Sequence, residues 1–205
     1  MKIAVLGGTG SFGRALAVRL REAGDEVSIG SRNAARAAES AVELGVSGGA
    51  NEDVAGGADL VILAVKADAA LETAADLRDA LGRTPVLSVA SELRFAADGV
   101  RPAKGAESIA ERVAGLVAGP VVAGLHSFAA RTLAAGLPDE DALVCGDDLP
   151  SKELVLGLAA SICSGRAIDA GPLANARALE GLTSVIVNVN RRYKAHAGIR
   201  LTGLP

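Results

Sequence analysis

A chain of 205 residues, half of them apolar, can fill one core with a small appendage, and 24 acidic against 21 basic side chains leave a net charge of −3. The basic residues are scattered, which excludes a nucleic-acid footprint, and no charge-free apolar run of spanning length occurs, which excludes a transmembrane helix. Cys145 and Cys163 form no C-x-x-C pair and His126 and His196 lie far apart, so no metal-ligand spacing is present and the thiols are expected to be reduced. The first strand begins within two residues of the N-terminus and leaves no room for a signal peptide, so the expected location is the cytoplasm.

Residues 2–6 are a β-branched and apolar run, followed by Gly7-Gly8-Thr9-Gly10-Ser11-Phe12-Gly13 and an alanine- and leucine-rich helical stretch to residue 23. Read from Gly8 the turn is G-x-G-x-x-G, and it stands between a strand and a helix, the context that gives this motif its meaning. Gly8 is expected to allow the tight turn, Gly10 to let the backbone approach a pyrophosphate, and Gly13 to let helix and strand pack closely. The free N–H groups at the helix start, with the positive end of the dipole, suit the phosphates.

The next strand, residues 26–30, ends in Ser31-Arg32. In a βαβ unit this position reads the adenosine ribose: an acid accepts from the 2′-hydroxyl of NAD, whereas an arginine accommodates the 2′-phosphate of NADP. No acid stands here. Ser31 offers a hydroxyl, Arg32 a planar fork and Arg36 further charge one helical turn on, so NADP is the expected dinucleotide.

Residues 34–44 read as a helix, 45–57 as a glycine-rich loop, 59–65 as an apolar strand, 67–81 as a helix and 85–89 as another strand. Strands alternating with helices indicate an α/β fold with a Rossmann-type doubly wound parallel sheet. Ligands bind outside the carboxyl ends of such strands, which sets Val65, with Ala64 and Lys66, and Ala90, with its neighbours in 88–91, at the cofactor. Residues 92–105 form a polar loop, long enough for a lid or a binding segment, before a helix over 108–117. A fifth strand, residues 121–125, delivers His126-Ser127 to the same edge. His126 is a candidate to bond a second substrate or donate a proton; the alternative is a histidine satisfied by backbone groups.

From residue 142 a strand ends in Asp147-Asp148 ahead of a helix over 152–162, and the paired acids read as a helix cap and dipole partner rather than a metal site. Asp169-Ala170-Gly171-Pro172-Leu173 leads into a long helix with Pro172 in its first turn, Leu179, Leu182, Ile186 and Val189 as its buried stripe, and polar sides suited to a second cleft wall. The expected organisation is a Rossmann domain over residues 1–149 with a small helical C-terminal extension over 150–205. The apolar surface of that end and of the tail at 199–204 predicts a homodimer.

Gly7-Gly8-Thr9-Gly10, Gly30-Ser31-Arg32, Leu125-His126, Cys145-Gly146-Asp147-Asp148 and Asp169-Ala170-Gly171-Pro172-Leu173, followed by Asn175, Arg177, Glu180, Leu182-Thr183 and Asn188, together resemble the NADPH-dependent reductases of coenzyme F420, a deazaflavin. The resemblance runs from end to end. It implies a hydride passed between NADP and the deazaflavin stacked face to face, with Thr9, Ser11, Phe12, Ser31, Arg32 and Arg36 among the NADP contacts and His126, the candidate catalytic residue, in the deazaflavin pocket. Such a transfer needs little side-chain chemistry, because the cofactors carry it. Two further readings stay open on the residues alone: an NADPH reductase of another acceptor, such as a flavin, ferric chelate, small carbonyl or imine, and a non-enzymatic NADP sensor. The partners expected are small-molecule cofactors, with no nucleic acid and no membrane.

Overall fold

The computed structural model describes residues 1–204. Strand β1 (Lys2–Leu6) leads through the glycine turn into α1 (Ser11–Glu22), β2 (Glu26–Ser31) and α2 (Ala34–Leu44). Asn33 caps α2 by accepting from the Arg36 N–H at 3.0 Å, and Gly45, in the left-handed region at φ 66°, ends it. Next come β3 (Ser47–Ala50), α3 (Asn51–Ala55), β4 (Leu60–Leu63), α4 (Ala67–Asp76), α5 (Arg78–Leu81) and β5 (Val86–Ser88). The remaining elements are β6 (Leu93–Ala96), β7 (Gly99–Pro102), α6 (Ile109–Ala114), β8 (Val121–Gly124), α7 (Ala130–Ala135), β9 (Ala142–Gly146), α8 (Leu149–Ser161), β10 (Ala167–Asp169), a 3-10 turn (Leu173–Asn175) and α9 (Ala176–Tyr193).

Eight strands form one sheet in the order β10-β9-β8-β5-β4-β1-β2-β3, parallel throughout except for β9 against β8. Along β1 successive side chains serve opposite faces, as the pleat requires. Ile3 and Val5 pack with Leu16 and Leu20 of α1, Leu133 of α7 and Val155 of α8, whereas Ala4 and Leu6 pack with Ala70 of α4, Ile109 of α6 and Leu179 of α9. Strand order reverses between β1 and β4, and the crevice above that reversal is where such sheets bind ligands.

Four regions differ from the expectation. The glycine-rich stretch 45–57 contains β3 and α3; Ser47-Gly48-Gly49-Ala50 has no strand-forming residue, but Gly48 lets it lie against α2, where a Cβ would stand 2.6 Å from the Ala37 carbonyl oxygen. The polar loop 92–105 contains an antiparallel hairpin, β6 on β7, closed by a two-residue loop between Ala96 and Gly99. The helix over 67–81 is interrupted at Leu77. Residues 150–205, expected as a helical extension, also supply β10 to the sheet.

The tail after α9 folds back on its own chain. The Asp141 N–H donates to the Ile199 carbonyl at 2.8 Å, and its buried carboxylate accepts from the Leu201 N–H at 2.8 Å and from Arg166 at 2.8 Å. The Arg166 guanidinium holds that carboxyl well below the usual carboxylate range. Among the described residues no helix is long and apolar enough to cross a membrane.

Candidate active site

The glycine turn is set by backbone. Gly7, not Gly8, takes the left-handed conformation at φ 84°, and a Cβ there would meet the Ala64 carbonyl oxygen at 2.7 Å. Gly8 is needed for a different reason: a Cβ would lie 2.4 Å from Cβ of Ile29, so its absence lets the turn rest on β2. Gly13 brings α1 against the turn, with a Cβ position 2.5 Å from the Gly7 carbonyl oxygen. Gly10 caps α1 with no side-chain bond, and no acid stands in the first turn of that helix. The first N–H groups of α1, at Ser11, Phe12 and Gly13, therefore keep their donors for an anion.

In front of this turn a lobe of about 650 Å3 is lined by Gly7, Thr9, Gly10, Ser31, Arg32 and Arg36, among others. Arg32 and Arg36 are exposed, and neither forms an ion pair among the described residues. Two unpaired guanidinium groups beside a serine hydroxyl suit a phosphate monoester. Gly8 and Gly13, expected at the cofactor, lie beneath the lobe and shape it rather than line it.

A second lobe of about 800 Å3 shares Gly10, Ala64, Val65, Lys66 and Asp68 with the first, so the two form one continuous crevice. Ser11, Phe12, Val65, Ala90, His126 and Thr183 are among its walls, and Phe95 and Phe128 complete a set that holds every phenylalanine of the chain. Leu125, buried at the end of β8, adopts φ 64°, a left-handed conformation that costs a non-glycine residue about 1–2 kcal/mol. That turn of the backbone aims His126 into the crevice.

His126 is only 5% exposed, and burial pushes its pKa down to about 4, so the imidazole is neutral. Nε2 lies 3.3 Å from the Ala90 carbonyl oxygen, which accepts its proton, and Nδ1 has no partner. The group expected to donate to a second substrate thus has its N–H committed to backbone, and its other nitrogen is a buried acceptor without a partner. Its own carbonyl accepts from the Thr183 hydroxyl at 3.0 Å, which leaves Ser91 to donate to Thr183 at 2.9 Å. The Cys145 thiol is pushed up to about 12 by burial and is no nucleophile.

The acidic motifs hold the architecture. Asp148 caps α8 by accepting from the Ser151 N–H at 3.0 Å, Asp147 accepts from the Leu173 N–H at 2.9 Å, and the buried Lys152 pairs with Asp169 at 2.9 Å. Together they fix the approach to α9. Glu180, fully buried, accepts from the Ile109 N–H at 2.7 Å at the start of α6, and burial raises its carboxyl to about 7. Among the described residues no group of three or more His, Cys, Asp or Glu is arranged to hold a metal ion.

Phe95 and Phe128 were not singled out by sequence reasoning, whereas Leu125 and Thr183 entered only within the motifs that carry the resemblance. Phe95 lies in the segment expected to bind or cover a ligand, while no local pattern announces Phe128.

A doubly wound sheet with a glycine turn at its switch point, an arginine-lined lobe and an adjoining aromatic lobe is the architecture of dinucleotide-dependent oxidoreductases. Residues 2–92 match the family model described as NADP oxidoreductase, coenzyme F420-dependent. Over its full length the chain is 38% identical to an F420-dependent NADP reductase of Methanothermobacter thermautotrophicus, covering 96% of that protein, and 36% identical to one of Methanothermobacter marburgensis, covering all of it. The crystal structure of a putative F420-dependent NADP-reductase from Arthrobacter sp. FB24 superposes with a TM-score of 0.86 at 27% identity, over 99% of this chain and 100% of that one. The chain belongs to the F420-dependent NADP reductase family.

Proposed function

We propose that this protein transfers a hydride between NADP(H) and coenzyme F420 in the crevice over β1, β4, β5 and β8. The observation that carries this reading is the meeting of an arginine-lined lobe and an aromatic lobe in one continuous crevice, joined at Gly10, Ala64, Val65, Lys66 and Asp68, in a member of this family. When bound, NADPH supplies a hydride that passes directly to the deazaflavin ring, a step that asks for orientation rather than proton transfer.

The residues supply that orientation. The first N–H groups of α1 bind the pyrophosphate, with Thr9, Gly10, Ser11 and Phe12 along the turn and Gly8 and Gly13 supporting it from below. Ser31, Arg32 and Arg36 bind the 2′-phosphate. Val65 and Ala90 close the walls on the nicotinamide side, keeping water away from the reacting faces. His126 keeps its proton on Nε2 against Ala90 and contributes its neutral ring to the wall of the deazaflavin lobe. Fixing two rings at reacting distance is worth about 7–11 kcal/mol of the barrier.

Mixing the protein with NADPH and oxidised F420 tests this reading. Loss of the deazaflavin's visible band at catalytic protein concentration is expected; NADPH consumed only with flavins, ferric chelates, carbonyls or imines, or bound without turnover, contradicts it. For assembly, Val185, Val189 and Tyr193 stand exposed on one stripe of α9, and a second copy of the chain covers them in a homodimer. The tail expected to share that interface is held to Asp139 and Asp141 of its own chain. A monomeric mass by light scattering at micromolar concentration contradicts the dimer. Both redox partners are water-soluble small molecules, which supports a cytoplasmic location.

A further inference from the structure

Aromatic side chains are scarce in this chain: three phenylalanines and one tyrosine in 205 residues, with no tryptophan. All three phenylalanines line the second lobe. Two of them have a packing reason to be there, since Phe128 is 6% exposed within the core and Phe12 packs partly buried against it. Phe95 has none. It is 74% exposed at the lobe, so its ring gives up the burial that stabilises a phenylalanine elsewhere.

Phe95 is nevertheless held in place. Side chains of β6 alternate, bringing Leu93 and Phe95 to the lobe and turning Arg94 away. The cross-strand partner of Phe95 is Val100, which is buried and clamped from α9: Asn188 accepts from the Val100 N–H at 2.8 Å and donates to its carbonyl at 2.7 Å, as a neighbouring strand would. Gly99 permits this approach, because a Cβ there would stand 2.8 Å from Oδ1 of Asn188. At the base of the hairpin the Ala103 N–H donates to the Glu92 carbonyl at 3.0 Å, and Ser91 is tied to Thr183. An exposed ring on a clamped support is preorganised for a flat ligand and needs no ordering when that ligand arrives.

We propose that Phe95 is the stacking plate for the fused ring of the second substrate and selects planar, multi-ring acceptors over small carbonyls or imines, with Asn188 as the residue that positions it. The inference rests on the deazaflavin reading of the same lobe and deepens it. Stacking of a heteroaromatic ring on an aromatic side chain contributes enough to shift affinity by about tenfold, while a side chain this exposed adds little to stability.

The test is equilibrium titration of oxidised F420, alongside steady-state kinetics, on the wild-type protein, Phe95→Ala and Phe95→Trp. The expected result is a rise of about tenfold in Kd and KM for F420 in Phe95→Ala, recovery in Phe95→Trp, and unchanged KM for NADPH and unchanged Tm. Wild-type binding matched by Phe95→Ala overturns the stacking role and leaves the hydride-transfer reading standing. Parallel loss of NADPH affinity or of Tm also overturns it, by assigning Phe95 to the fold. A wild-type protein that neither binds nor reduces F420 removes both readings.

Discussion

The two lobes of the crevice are built in opposite ways. The dinucleotide lobe draws its binding groups from one short stretch: turn, helix start and arginines come from residues 7–36, as backbone N–H donors, glycines and two guanidinium groups, while Asn51 and residues 64–73 close its other wall. The acceptor lobe is assembled across the chain, with Ser91 bonded to Thr183, Val100 to Asn188, His126 to Thr183 and Ile109 to Glu180. Helix α9 is the hub of every one of those links. A local site constrains a short stretch severely; a dispersed one spreads its constraints over side chains that can change singly, which suits the half of a reductase that chooses the acceptor.

Perturbing the local lobe has the largest expected effect. Gly13→Ala drives a Cβ to 2.5 Å from the Gly7 carbonyl oxygen and 2.9 Å from Cα of Gly8, both backbone atoms that cannot step aside. Overpacking of this kind costs about 3 kcal/mol, and displacement of the α1 N-terminus lowers NADPH affinity by more than about a hundredfold. Thermal melts and NADPH titration read both effects; retention of either near the wild-type value would show that the close approach is dispensable.

The hub of the dispersed lobe carries a pH signature. Burial raises the Glu180 carboxyl to about 7, so between its ordinary value of 4.5 and about 7 the folded chain keeps a proton that the unfolded chain has released. Stability therefore declines as pH rises across that window and levels off above it, by about 3 kcal/mol in all. Glu180→Gln, which cannot titrate, flattens this part of the profile of Tm against pH, and an unaltered slope in that variant would assign the decline to other groups.

Arg32→Ala separates the lobes by substrate. Loss of one charge-assisted contact to the 2′-phosphate, worth about 1.5–3 kcal/mol, raises KM for NADPH by about ten- to a hundredfold with kcat nearly unchanged, and leaves KM for F420 alone. NADH used as well as NADPH by the unmodified protein would contradict the assignment. The smallest of these effects belongs to Asn188→Ala, which frees both backbone groups of Val100 and loosens the hairpin. KM for F420 then rises severalfold while KM for NADPH stays put; a change in the NADPH value instead would mean that the hairpin serves the other lobe.

The same contrast decides what the sequence makes legible. The stretch from β1 to α2 is readable because glycine spacing, the Asn33 cap and apolar periodicity are all local signals. Strand β3 is not, since Ser47-Gly48-Gly49-Ala50 becomes a strand only through pairing with β2 and packing on α2. The hairpin carries only a weak sign, because its two-residue loop is Ala97-Asp98 and Gly99 already pairs with Ala96. On α9 the expected stripe holds at Leu179 and Ile186, but Val189 is exposed and Glu180 and Ser184 are buried instead, because the helix meets α6 at one end and the hairpin at the other. The left-handed turn at Leu125 and the committed proton of His126 depend on distant partners and have no local signal.

The central claim is that the two lobes bring nicotinamide and deazaflavin together for direct transfer. NADPH carrying deuterium at the transferring position of the nicotinamide, incubated with oxidised F420 and the protein in ordinary water, tests it directly by mass spectrometry of the reduced deazaflavin. The account predicts that the deuterium appears in that product. Its release to solvent, with an unlabelled reduced deazaflavin, would contradict direct hydride transfer in this crevice.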